Sequence, residues 1–503
     1  MTDVLLTHSY HLLYDRKQVK KMQPYPPLGT LYAAAVLRGQ GVSVALFDSM
    51  LQEPLAGFRE ALRVHSPRVV AIYEDDFNFL TKMCLTRMRD LAWQMAQQAR
   101  RAGARVLVHG SDSTDHAGDY LQNGCDLVLK GESEHKLLEA VQAILLGRDV
   151  PAGPEVVSST SPGMNCAGPL VNRNPRRPTT NSPLPARDLI DMQRYREAWQ
   201  SAHGRFSLNL VASRGCPYRC NWCAKPIFGD AYAAREPSDV AEEMLILQRR
   251  YKAEHLWFAD DIFALSPRWM EQFAREVESR DCAVPFKIQA RADRLGASTA
   301  TALKRAGCSE VWMGVESGSQ KILDAMDKGL RVEEIVSARK ELGAQGIRTC
   351  YFLQFGYPGE AWEDLRKTIE LVRETKPDDI GISFSYPLPN TRFHEQVRSQ
   401  MGEKRNWSDS EDLCVMFKGT YSDLFYRAVR DALHAEVEAY KSPSPAVQET
   451  IADRWKQVDL LEPVSRNRDA TELLPMPLAR QSRQHAPESF ISIGDFTSPL
   501  GER

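Results

Sequence analysis

Along residues 1 to about 146, short apolar runs alternate with stretches whose apolar residues recur every three or four positions. VLLTH (4–8), VSVALF (42–47), VVAIY (69–73), RVLVHG (105–110) and DLVLKG (126–131) read as buried strands, rich in Val and Leu and closed by polar residues or Gly. Between them LGTLYAAAVLRGQ, LQEPLAGFREALRVH, the segment from Phe79 to Arg101, and DHAGDYLQNG read as helices. Five strands with helical crossovers predict an α/β, doubly wound, Rossmann-like (flavodoxin-like) domain. Its ligand belongs beyond the carboxyl ends of the strands, at YEDDFNF (73–79), HGSDSTDH (109–116) and KGESE (130–134). From about 151 to 190 the periodicity stops, and NRNPRRPTTNSPLPARD reads as a surface strap, with anion binding by its Arg-Pro piece as the alternative.

A second alternation begins near Phe206. SLNLVAS (207–213), HLWFAD (255–260), PFKIQA (285–290), EVWMGV (310–315), RTCYFLQF (348–355) and DIGISFSY (379–386) predict strands, each followed by a helical stretch. Six βα units in sequence predict a partial (β/α)6 barrel of the TIM type, with its chemistry on the loops after the strands. The chain thus divides into a Rossmann-like domain (1–147), a linker or strap (148–200), a barrel (201–400), a helical C-terminal extension (401–462) and a loosely ordered tail (463–503).

Composition narrows the function classes. The 503 residues carry a formal net charge of −2, which offers no field for holding nucleic acid. No run approaches the ~20 apolar residues of a membrane span, and the first residues lack a basic segment followed by an apolar run, so the protein reads as cytoplasmic. Ten cysteines are too sparse for a disulfide scaffold. Cys84, Cys125, Cys166, Cys282, Cys308, Cys350 and Cys414 stand singly and read as small buried hydrophobes.

Cys216, Cys220 and Cys223 are the exception, gathered in SRGCPYRCNWCAKP directly after the first barrel strand. Three thiolates so close repel one another unless a cation or cluster holds them. Four-iron clusters are held in short Cys loops, and three protein ligands leave one iron open. A structural zinc site is the competing reading, but it calls for a second ligand pair, and no matching CxxC or HxxxH pair is present.

CPYRCNWC resembles the Cys-x3-Cys-x2-Cys signature of the radical S-adenosylmethionine (radical SAM) family, with Trp222 just before the third Cys. That resemblance implies a 4Fe-4S cluster, SAM bound to its open iron, and reductive cleavage of SAM to a 5′-deoxyadenosyl radical. In FADDIF (258–263), Asp260 and Asp261 stand where the family has a Gly-Gly-Glu segment that meets the SAM amino group. QARADR (289–294) offers Arg291 to the SAM carboxylate, and MGVESGSQ (313–320) offers Glu316 and Ser317. FGYPGE (355–360) resembles a Gly-x-Pro-Gly-Glu turn in which Gly356 allows backbone approach to the adenine. YPLPNTRFHE (386–395) resembles the loop after strand six. Each piece alone has a bland reading as cap, ion pair or punctuation; their order, one strand apart, carries the resemblance.

PPLGTLYAAAVLRGQGVSVALFD and VLKGESE resemble the cobalamin-binding domain that precedes the barrel in one branch of this family. The Asp-x-His-x-x-Gly motif is lacking: His116 has Thr114 two positions before it and Asp119 three after. The resemblance therefore implies cobalamin without His ligation, with Tyr73, Glu74, Ser111 and Asp112 as candidate contacts. The implied activity is methyl transfer to an unactivated carbon or phosphorus of a small-molecule substrate, fed by an external one-electron donor such as a flavodoxin or ferredoxin. Radical oxidative cyclisation or rearrangement is the alternative, and a non-catalytic cobalamin or iron–sulfur binding protein a further one.

Overall fold

The structure is a computed structural model that describes residues 2–78, 86–151, 153–158, 183–401, 414–441 and 444–466. Cys84, Cys166, most of the strap's Arg-Pro stretch and the tail beyond residue 466 lie outside the described residues.

The first sheet holds β1 (Val4–Thr7), β2 (Val44–Phe47), β3 (Val69–Tyr73), β4 (Arg105–His109), β5 (Leu127–Leu129) and β6 (Val156–Ser158) in the order β2-β1-β3-β4-β5-β6. The first five strands are parallel, as the apolar runs imply. In β3, Val69, Ala71 and Tyr73 pack toward helices Leu28–Gly39 and Glu134–Leu145, whereas Val70 and Ile72 pack toward Pro54–His65 and Thr86–Arg101. A strand buried on both faces needs a continuous apolar run, and VVAIY supplies it. β6, antiparallel to β5, falls in the stretch read as linker.

The second sheet runs β7 (Ser207–Leu210), β10 (His255–Phe258), β11 (Phe286–Ala290), β12 (Cys308–Glu316), β13 (Arg348–Phe355) and β14 (Asp379–Phe384), each paired in parallel with the next. Sequential order with a helix after most strands is the partial barrel expected from the sequence. The first barrel strand breaks at Val211: β8 (Ser213–Arg214) leaves β7 to pair antiparallel with β9 (Ala233–Ala234). That break turns the chain outward into the three-cysteine loop. Helices Asp423–Ala439 and Pro445–Ser465 form the C-terminal extension.

The two α/β units are joined by three devices. Residues 192–203, of which 192–200 fall in the stretch read as linker, form a helix whose Tyr195 and Trp199, four apart, are both buried. Trp199 Nε1 donates to Pro24 O at 2.6 Å, Asn209 Nδ2 donates to Pro26 O at 2.9 Å, and Tyr25 OH lies 3.1 Å from Ser207 Oγ. Residues 24–26 are thereby stitched to the barrel's first strand. A separate apolar seam joins Leu28, Tyr32 and Phe77 to Val211, Ile227, Phe228 and Ala259. The third device is an ion pair, described with the site. Among the described residues no helix is long and apolar enough to cross a membrane.

Candidate active site

The loop from Gly215 to Asp230 carries the three thiols. Gly215 has φ +78°, and a Cβ there would stand 2.2 Å from Ala231 O, so only glycine fits the turn into the loop. Lys225 spans the loop from behind: its ammonium donates to Cys216 O (3.0 Å), to Tyr218 O (2.5 Å) and to Asp230. Asn221 ties the middle to the barrel. Its N–H donates to Met326 O, its side-chain amide donates to Ala325 O (2.7 Å), and its Oδ1 accepts from Tyr357 OH (2.9 Å). Burial, then the neighbouring Cys216 and Cys220, push the Cys223 thiol up to about 12; burial also raises Cys216. The thiols are close enough to feel one another. Yet among the described residues no three His, Cys, Asp or Glu side chains gather tightly enough to hold one metal ion.

Four of the loops after the barrel strands bring the other candidates to this mouth unequally. After β10, Asp260 turns inward, accepting from Ala212 N (3.0 Å) and Ser213 Oγ (2.5 Å); burial raises its carboxyl to about 7. Asp261 is exposed and its charge acts on Cys216 and Cys223. After β11, Arg291 stacks on Tyr218 with its guanidinium carbon 3.7 Å from the ring centroid, and donates to Asp293 (2.9 Å) and Gly329 O (3.0 Å). Its Nη1 is buried without a partner, as is Trp222 Nε1. At the end of β12, Glu316 adopts φ +65° at a register shift and accepts from Lys328 Nζ at 2.9 Å, both side chains being 7% exposed. A non-Gly residue held in that region is strained, a cost of about 1–3 kcal/mol that the packing around it must offset. Ser317 is fully buried and lies 3.2 Å from Thr368 Oγ1, away from the mouth. After β13, Gly356 has φ +78°, and the position of its missing Cβ is 3.4 Å from the Tyr426 ring, so the glycine admits the C-terminal helix.

The strand ends of the first domain form a charged layer. His109 Nδ1 lies 3.1 Å from Leu129 O, and Nε2 lies 2.8 Å from Asp76. Both partners are acceptors; burial works against a charge on the ring, but Asp76 outweighs it and raises the ring above the usual histidine range. Tyr73 stacks on His109 at 4.1 Å with its hydroxyl unpartnered, and Glu74 accepts from Ser9 N. Asp112 is engaged by Arg89 through two bonds (2.7 and 2.6 Å) and by Tyr120 OH (2.8 Å), next to buried Ser111. His116 lies 3.7 Å from Asp112 and 3.8 Å from Asp119. Arg214, two residues before Cys216, crosses to this layer. Its guanidinium meets Glu132 at 2.6 Å and Glu134 at 2.7 Å, beside the rings of Tyr32, Phe77 and Phe228.

Sequence reasoning passed over Lys225, Asn221, Lys328 and Arg214. Lys225, Asn221 and Arg214 stand within the quoted cysteine stretch; a cation or amide beside a thiol cluster is itself a signal.

Residues 210–372 match the family model described as the Radical SAM superfamily. A protein of Pyrococcus horikoshii described as an uncharacterized methyltransferase is 25% identical over 393 residues, 76% of this chain and 81% of that one. The anaerobic magnesium-protoporphyrin IX monomethyl ester cyclase of Rubrivivax gelatinosus is 23% identical over 392 residues, 74% of this chain and 66% of the cyclase. Among solved structures, the radical S-adenosylmethionine methyltransferase TsrM from Kitasatospora setae, with cobalamin and a [4Fe-4S] cluster bound, aligns with TM-score 0.65 at 19% identity, over 81% of this chain and 80% of TsrM. Residues 210–372 thus form a radical SAM domain. The chain is an enzyme, and it shares its fold with TsrM.

Proposed function

We propose that this enzyme uses a 4Fe-4S cluster, SAM and cobalamin to methylate an unactivated carbon or phosphorus of a small molecule. The observation that carries the reading is the three-thiol loop held ready by Lys225 and Asn221, with its neighbour Arg214 bound into the first domain. Three free thiols on one short loop suit a multi-atom cluster. Cys216, Cys220 and Cys223 would hold three irons, and the fourth would take SAM. Together cluster, SAM and cobalamin supply a 5′-deoxyadenosyl radical and a transferable methyl group.

The chain's own groups do the binding. Asp261, exposed beside the thiols, would accept from the SAM ammonium, whereas both oxygens of Asp260 are turned inward to Ala212 N and Ser213 Oγ. Arg291 Nη1 and Trp222 Nε1 are unspent donors beside the loop. Lys328 fixes one oxygen of Glu316 and leaves the other for a ligand. Cobalamin would lie over the strand ends at Tyr73, Glu74, Ser111 and Asp112. His109, spent on both nitrogens, gives no axial ligand, in keeping with cobalamin bound without His. Methyl transfer is favoured by the described names of the Pyrococcus relative and TsrM; the Rubrivivax cyclase keeps radical cyclisation as the second reading.

Anaerobic reconstitution with iron, sulfide, SAM and a reductant, with and without cobalamin, tests this. S-adenosylhomocysteine together with 5′-deoxyadenosine supports methyl transfer, and 5′-deoxyadenosine alone supports cyclisation. Neither product, with zinc in place of iron, ends the reading.

A further inference from the structure

Strand alternation sorts the barrel residues onto two faces. Val311, Met313, Tyr351, Leu353, Ile380 and Ile382 point outward and are buried in the main core with the helices. Trp312, Gly314, Phe352, Gly381 and Ser383, which alternate with them, point inward and are only half-buried. A closed barrel fills its interior with layers of side chains, so an accessible inner face marks unfilled space. Gly314 and Gly381, bare of side chains, help to leave it so.

The accessible wall is aromatic. Trp312 and Phe352 stack with ring centroids 4.7 Å apart and planes at 27°. Trp312 Nε1 donates to Glu310 at 2.8 Å, which fixes the indole. Both rings lean across Gly381, whose missing Cβ would stand 3.4 Å from an atom of each. Toward the strand starts, Tyr25 and Trp257 pack at 4.7 Å with Lys287 Nζ 5.6 Å from both rings, and they close the lumen from below. Toward the strand ends the wall runs into the mouth. A Cβ on Gly314, the next inner position after Trp312, would stand 2.9 Å from Lys328 Nζ and 3.0 Å from Glu316 Oε1, so that pair lies directly over the wall. Gln354, the next inner position after Phe352, keeps its buried side-chain oxygen without a hydrogen-bond partner.

We propose that the Trp312–Phe352 wall, with the space in front of Gly381, selects the substrate by taking a flat conjugated ring system whose upper edge is presented to the mouth; this rests on the cofactor reading of the mouth given above. Had the two rings only completed the core, they would be as buried as the outward residues beside them. Aromatic faces stack on one another in offset geometry, which a puckered, saturated ring of the same outline cannot reproduce. The unspent Gln354 oxygen would accept an O–H or N–H on that upper edge and lose the penalty of standing unpaired.

Equilibrium dialysis of 2-naphthol and of decahydro-2-naphthol against the anaerobically reconstituted, full-length enzyme tests this. The two probes share a skeleton and a hydroxyl and differ in flatness. The wall requires that the wild type hold 2-naphthol about fivefold more tightly than its saturated counterpart. Trp312→Ala and Gly381→Val should each erase that preference at unchanged iron per chain; the backbone at Gly381 has no positive φ to strain the valine, whose side chain fills the space before the rings. Equal affinity for the two probes in the wild type overturns the proposal without recourse to any variant. So does a preference that survives both substitutions, and if one variant loads poorly the other decides. A wild type that holds iron and yields 5′-deoxyadenosine from SAM, yet binds the probes equally, loses the wall and keeps the cofactor reading. A wild type that loads no cluster loses the cofactor reading, and with it the assignment of the wall to a substrate.

Discussion

Replacing Arg214 by Met leaves Glu132 and Glu134 with no cation between them. Both carboxylates now lie within 2.7 Å of one guanidinium, and the three side chains are 15%, 13% and 8% exposed. Removing one partner of a buried ion pair costs about 3–5 kcal/mol, because an uncompensated charge stays behind. Here the lower end applies: His109 remains near Glu134, and burial already raises the Glu132 carboxyl, so one proton can be taken up. The expected destabilisation is therefore about 3 kcal/mol at pH 7.5, read from urea unfolding of the full chain. Linkage gives it a pH signature. Burial acts to raise Glu134, and Arg214 with its neighbours holds it below 4.5; without Arg214 both folded carboxyls move above that value. The folded variant then binds more protons than the unfolded chain, so its stability falls as pH rises and recovers as pH falls toward 4.5. The Glu132→Gln/Glu134→Gln double variant in the Arg214→Met background should restore most of the loss. A loss below about 1 kcal/mol, or one that persists in the triple variant and is flat with pH, refutes the reasoning.

Gly215→Ala should remove iron loading while leaving the first domain folded, because a left-handed backbone costs a β-carbon about 1–2 kcal/mol even before the clash with Ala231 O; iron per chain after reconstitution reads it. Lys225→Met should slow cluster assembly and weaken iron retention against a chelator, with Lys225→Arg in between, since an arginine can still bond the Cys216 and Tyr218 carbonyls. Glu360 is wholly buried, and burial raises its carboxyl from 4.5 to about 8 while it accepts from Gly356 N. A folded pKa above the unfolded one means stability is lost as pH climbs from 4.5 to 8. Glu360→Gln keeps the acceptor and should flatten that slope in thermal unfolding at stepped pH.

The strands were legible because each is a local pattern: VVAIY must be buried on both faces, and it is. The three-cysteine loop was legible for the same reason, as spacing within eight residues. What escaped depends on partners distant in sequence. Which aspartate of the Asp260–Asp261 pair faces outward follows from where β10 ends and from the N–H groups of Ala212 and Ser213, some 48 residues earlier. Ser317 had a motif to recommend it, but its hydroxyl belongs to Thr368. Arg214 finds its carboxylates 82 residues upstream, in another domain. The helix from Met192 was lost in a stretch dominated by Pro and Arg, although Tyr195 and Trp199 stand four apart.

The stitching of residues 24–26 to the barrel has a consequence for anyone who would handle the two halves separately. Tyr25 lies in the barrel's own core, its ring 5.1 Å from Trp199 and 4.7 Å from Trp257. A barrel expressed from residue 201 onward would lack that ring, as well as the acceptor that Asn209 uses at Pro26 and the hydrogen-bond partner that Ser207 has in Tyr25. During synthesis, too, this short piece must wait, emerging long before the strands it braces. The cut between the halves that the domain pattern invites is therefore not a seam in the protein, and a chimera made there would need residues 22–27 to travel with the barrel.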